Sequence, residues 1–193
     1  MSYQTIEYRG HEIEIWYSDF HESPDDWENT DIFLVFDHRD FCVERDGFDP
    51  QEIFEEAYSK GERMFKGYWI FPVTAYIHSG VALYLTDQKV DRWDSSFKGF
   101  VLVSHEEFGK PLESVAEKAA EGLIDTWNNY LRGEVYGWST DWDSCGGYYG
   151  DESIPDMIEE AKGSIDYALK QETEKHIARR KRQIKARVPL VYR

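Results

Sequence analysis

The chain has 193 residues and a formal net charge of −16, which is length enough for a buried core without disulfides or metal and too much negative charge for its body to bind nucleic acid or an anionic membrane directly. Seven Trp, thirteen Tyr and eleven Phe supply large buried rings, so the low mean hydropathy does not signal disorder. Cys42 and Cys145 fit no zinc or redox spacing, and no apolar run approaches the ~18 residues of a membrane helix, so the expected setting is the cytoplasm, with no disulfide framework.

In chain order, Ile6 and Tyr8 belong to a first strand that Arg9-Gly10 turns back onto a second, His11 to Tyr17, with Ile13, Ile15 and Tyr17 facing inward. Ser18 to Thr30, which holds Pro24, reads as a loop, and Ile32 to Phe36 as a central strand. Asp49-Pro50-Gln51-Glu52 starts a helix: Asp49 caps, Pro50 suits the first turn and Glu52 closes a capping box. Its apolar face is Ile53, Phe54, Ala57 and Tyr58, and its other side carries Glu52, Glu55 and Glu56. Tyr68 to Ile77 and Val81 to Leu85 form a hairpin about Gly80, with Pro72 marking an edge or a bulge. Phe97 to Val103 is another strand, and Leu112 to Arg132 a helix with the stripe Leu112, Ala116, Ala119, Leu123, Trp127 and Leu131, stopped by Gly133. A final hairpin spans Glu134 to Tyr149. A last helix opens at Ser153-Ile154-Pro155-Asp156, with the stripe Met157, Ile158, Ala161, Ile165, Ala168 and Leu169.

This order does not alternate as βαβ units do. The expected fold class is α+β: a single domain with a mostly antiparallel sheet of about five to seven strands, packed by two or three helices. Charge divides the chain more sharply than structure does. Residues 1–170 hold 14 Lys and Arg against 36 Asp and Glu, whereas residues 171–193 hold 8 against 2. The expected layout is therefore an acidic domain over 1–170 and a basic helical extension over 171–193 that is not a separate domain, with Arg179, Arg180, Lys181 and Arg182 at its centre. Acid is densest from Asp19 to Glu62, where 15 carboxylates face three cations.

Four clusters invite a chemical reading. His78 and Ser79 beside Gly80, with Asp94 on the next loop, supply the residue types of a hydrolase triad; the same residues also make a hydrogen-bonded turn, which is the preferred reading. Asp141, Asp143 and Asp151 suggest a cation, but no calcium-loop spacing is present and close carboxylates are expected by chance among 38 acidic residues. No histidine pair has zinc spacing, and neither a G-x-G-x-x-G nor a Walker A loop occurs, so no metal and no cofactor are expected. Tyr136 and Trp138 share one strand face, either as a contact surface or as core. Asp143 to Gly147 reads as a tight hairpin about Cys145, with no basic neighbour to activate its thiol.

The blocks YIHSGVALYL (Tyr76–Leu85), DRWDSSFKGFVLV (Asp91–Val103) and TWNNYLRGEVYG (Thr126–Gly137) resemble those of a family of small acidic proteins encoded by phages and mobile elements. The resemblance covers the middle third of the chain. It implies an accessory protein acting inside a bacterial host cell, and it carries no catalytic residues.

The functional expectation is a non-enzymatic protein that binds a basic host protein, such as a restriction or CRISPR nuclease or another DNA-binding enzyme, through Asp25, Asp26, Glu28, Asp31, Glu52, Glu55 and Glu56. The alternatives are a small hydrolase at His78, Ser79 and Asp94, and an assembly protein that forms homo-oligomers through its basic arm. Spread evenly over the body, the acid is about four times too dilute to imitate duplex DNA, so mimicry needs it gathered on one face.

Overall fold

The computed structural model describes residues 2–18, 22–27, 29–77, 80–86 and 97–187. The strands in chain order are β1 (Ser2–Tyr8), β2 (His11–Tyr17), β3 (Ile32–His38), β4 (Phe41–Val43), β5 (Met64–Phe65), β6 (Tyr68–Ile77), β7 (Val81–Leu85), β8 (Phe97–Ser104), β9 (Val135–Ser139) and β10 (Ser144–Tyr149). The helices are α1 (Pro50–Glu56), α2 (Glu113–Arg132) and α3 (Ile154–Arg187). The class is α+β and every strand pair is antiparallel.

The strands form two sheets rather than one, in two compact units: Met1–Asp19 with Val135–Arg193, and Phe20–Glu134. In the first unit the order is β1-β2-β9-β10, so the opening hairpin pairs with the closing one across more than a hundred residues. Alternation along a strand tells which side faces inward but not which strand lies alongside, so the pattern that predicts one sheet is equally compatible with these two. One face of this sheet packs Ile13, Ile15, Tyr136 and Trp138 against Met157, Ala161 and Ile165 of α3. These three helix residues are four apart, one per turn on a single side.

In the second unit the order is β4-β3-β8-β6-β5, with β7 also paired to β6. Both faces of this sheet are covered. Leu34, Phe36, Val73 and Val101 pack under Ala116, Ala120, Leu123 and Trp127 of α2. Phe33, Val35, Ile70 and Leu102 pack on the other side, with Ile53 and Ala57. Burial on both faces explains the unbroken apolar run of β3. Pro72 sits where β5 pairing has ended and β7 pairing has not begun, one residue before a register shift at Val73/Thr74. Leu112 is not core: it is the extended N-cap of α2 and 75% exposed, and the stripe runs through Ala120 in place of Ala119. Gly133 ends α2 in the left-handed region, as its position suggests.

Candidate functional site: an acid-lined groove

The β3–β4 hairpin turns at Arg39-Asp40, which fixes its register: Asp37 lies opposite Cys42, and Phe36 opposite Val43. Phe36 and Val43 therefore point into the core while Asp37 and Cys42 face solvent. The chain then makes a small loop closed by the Arg45–Phe48 bridge, with the Phe48 N–H donating to the Arg45 carbonyl at 3.0 Å. Gly47 takes φ +81° there, a conformation that favours glycine. Asp49 follows as the N-cap of α1, its carboxylate accepting from the N–H groups of Gln51 at 2.7 Å and Glu52 at 3.1 Å.

These elements enclose an open groove of about 410 Å³. Its apolar wall is the half-buried Phe48 and Pro50, and its polar lining includes Asp37, Glu44, Asp46, Asp49 and Glu52, with Arg45 as the single cation. The carboxylates are not equally engaged. Asp49 is held by its cap, and Glu52 meets the Lys66 ammonium at 3.1 Å. Lys66 also donates to the Gly47 carbonyl at 3.0 Å, so it draws Glu52 away from the capping box expected of it. Asp37, Glu44 and Asp46 stay exposed. Arg45 is turned away from them: its Nη2 donates to the Asn29 carbonyl at 2.8 Å, and its guanidinium lies 4.9 Å from the Phe33 ring centroid. The negative field registers on Cys42, whose thiol is pushed above its ordinary pKa first by burial and then by the Glu44 and Asp37 carboxylates.

Of the acidic residues expected to bind, Glu52 lines this groove, while Glu55 and Glu56 lie exposed on α1. Glu55 accepts from Gln51 Nε2 at 2.6 Å. Asp25, Asp26 and Asp31 sit in the preceding loop, where two of them are spent on local bonds. Asp26 accepts from the Ser23 N–H at 2.9 Å and Asp31 from the Thr30 hydroxyl at 3.4 Å. Burial raises the Asp25 carboxyl pKa, opposed by the Arg45 charge and reinforced by Asp26. Glu28 lies outside the described residues, as do His78, Ser79 and Asp94.

Tyr136 and Trp138 are core residues, 1% and 2% exposed, and form no contact surface. Tyr136 donates its hydroxyl to Asp151, and Trp138 Nε1 donates to the Tyr148 oxygen at 3.1 Å. The three aspartates of the closing hairpin also have separate duties. Asp141 pairs with His11 Nδ1 at 3.1 Å, Asp143 accepts from the Ser144 N–H at 2.9 Å, and Asp151 receives Tyr136. Among the described residues no group of three or more His, Cys, Asp or Glu side chains is disposed to hold a metal ion. Likewise, no helix among them is long and apolar enough to cross a membrane.

The chain matches no family model, no curated protein and no solved structure. The groove and its charge thus stand on their own chemistry.

Proposed function

We infer that this is a non-enzymatic binding protein that captures a basic partner protein by seating lysine or arginine side chains of that partner in the acid-lined groove. One observation carries the reading: three exposed carboxylates, Asp37, Glu44 and Asp46, edge a 410 Å³ groove whose apolar side is the half-buried Phe48 and Pro50. A cationic side chain needs both parts, an apolar wall for its methylene stem and carboxylates for its head. Charge-assisted bonds of this kind contribute about 1.5–3 kcal/mol each. The partner class that fits is a nucleic-acid-binding enzyme of a bacterial host, such as a restriction or CRISPR nuclease, whose basic surface such a groove would occupy.

The test is titration of purified nucleases of both kinds, and of a hexa-arginine peptide as the minimal probe, against the wild-type chain and the D37N/E44Q/D46N variant. Binding that weakens at least tenfold in the variant, and again between 50 and 300 mM salt, is expected. Equal binding by wild type and variant, or none by either, rejects the groove as the site.

A further inference from the structure

The helix α3 is 34 residues long, yet only Met157, Ala161 and Ile165 are buried. From Glu172 to Arg187 every residue is exposed. On a helical projection Lys175, Arg179, Arg182 and Lys185 fall within one side about 120° wide. No carboxylate follows Glu174 to offset them. Apart from the exposed Ile177 and Ile184 the arm is polar or small; it repels itself at the i,i+4 pairs Lys175–Arg179 and Lys181–Lys185, and a counter-charged surface would stabilise it.

The same unit offers that surface. While α3 covers one face of the four-stranded sheet, the other face presents Thr5, Glu7, Glu12, Glu14 and Trp16. Glu7 and Glu12 are direct cross-strand partners, an arrangement of like charges that disfavours the sheet. Glu7, Glu12 and Glu14 are all exposed, and none makes an ion pair among the described residues. Next to them Trp16 lies flat across Gly137, where a Cβ would meet its ring at 2.4 Å. A flat indole beside three carboxylates suits a guanidinium, which stacks on one and pairs with the others.

We propose that the basic side of the α3 arm, Lys175, Arg179, Arg182 and Lys185, docks on Glu7, Glu12 and Glu14 of a second copy of the chain, giving a reciprocal dimer. The arm continues a helix seated on the opposite face of the sheet, so Glu7, Glu12 and Glu14 of its own chain are out of its reach and an arm that docks on them comes from another molecule. Spacings agree. Along the helix Lys175, Arg179 and Arg182 rise by about 6.0 and 4.5 Å; Glu12 and Glu14 are about 6.8 Å apart along the strand, with Glu7 about 5 Å across. A nucleic acid is the poorer occupant, because the arm would draw an acidic body toward phosphate and has no Phe, Tyr or Trp between Lys175 and Arg187 on which a base can stack. A two-fold axis satisfies both arms at once. An arm contact of about 20 by 10 Å, made twice, buries roughly 800 Å² in total, below the ~1,200 Å² of a stable complex. The dimer is therefore in equilibrium with monomer at micromolar concentrations and sensitive to salt.

Sedimentation equilibrium from 10 to 300 μM in 50 mM salt is expected to show the mass rising from 22.8 kDa toward twice that value, and falling back in 500 mM salt. E7Q/E12Q/E14Q and R179Q/R182Q/K185Q should each weaken dimerisation at least tenfold with the circular dichroism unchanged. Mixing E7K/E12K/E14K with R179E/R182E/K185E should restore it, since each variant keeps the half that the other needs. The groove variant D37N/E44Q/D46N should dimerise as wild type does, which separates this contact from the partner-binding groove. A monomer at every concentration overturns the proposal. So does a dimer that survives the glutamate substitutions, and so does a monomeric chain whose arm instead retains a 20-base-pair duplex.

Discussion

Cys42 and Tyr136 show how far a side chain's chemistry depends on its neighbours. At Cys42 partial burial, followed by the Glu44 and Asp37 carboxylates beside it, disfavours the thiolate that alkylating reagents need. D37N/E44Q should therefore speed the reaction of Cys42 with iodoacetamide at pH 8 by a few fold, read by mass spectrometry of the Cys42 peptide. High salt should have a smaller effect in the same direction. Burial, followed by the hydrogen bond to Asp151 and the nearby Tyr17, holds the Tyr136 hydroxyl far above the ordinary tyrosine pKa of 10. A folded-state pKa raised in this way contributes stability that is intact below pH 10 and is lost as the pH rises beyond it. Y136F should lower stability at pH 7 by about 1–2 kcal/mol, because Asp151 loses a donor. It should also flatten the decline above pH 10, measured by urea unfolding at stepped pH.

Among the elements, β7 is one of the edge strands, paired among the described strands with β6 alone. Asn128 of α2 closes its free side: the Leu83 N–H donates to Asn128 Oδ1 at 2.8 Å, and Asn128 Nδ2 donates to the Leu83 carbonyl at 2.9 Å. One amide thus stands in for a neighbouring strand. N128A leaves both groups of the buried Leu83 unpaired and should cost about 2–4 kcal/mol, seen as a lower urea midpoint. G137A should be comparably harmful, as Trp16 has no room for a Cβ there. Neither role can be read from the sequence, where Asn128 is one polar residue on a helix and Gly137 one glycine in a strand. What was legible was local. Turns such as Arg9-Gly10, the Asp49 cap and the Gly133 stop each act within four or five residues. The β2–β9 pairing and the Asp37–Cys42 register depend on partners that periodicity does not name. The groove was legible only in part: Glu52 and Asp49 are motif residues, but Asp37, Glu44 and Asp46 converge through the hairpin register and the Gly47 loop.

For the molecule as a whole, the exposed surface is 12,812 Å². Sixteen net charges over that area amount to about one per 800 Å², against roughly one per 100 Å² for duplex DNA. The acid works through local arrangements such as the groove rather than by imitating a uniform polyanion. Self-repulsion remains substantial, and salt relieves it as the screening length shrinks from about 30 Å to about 8 Å. Thermal unfolding followed from 10 to 150 mM NaCl should show the midpoint rising by about 2–4 °C, equivalent to roughly 1 kcal/mol.

The hydrogen bond from the Ser18 N–H to the Val135 carbonyl, 2.8 Å long, joins the two places where the chain leaves and re-enters the four-stranded sheet. It also sets a timetable. During synthesis β1 and β2 emerge before the rest of their sheet, and β9 follows only after a segment of about 115 residues. At 5–20 residues per second the ribosome takes about 6–23 s to supply it. A lone two-stranded hairpin is marginal in water, so Ile13 and Ile15 spend that interval uncovered while the whole of 20–134 becomes free to fold. The opening hairpin of this sheet is thus translated well before the strands and helix that cover it.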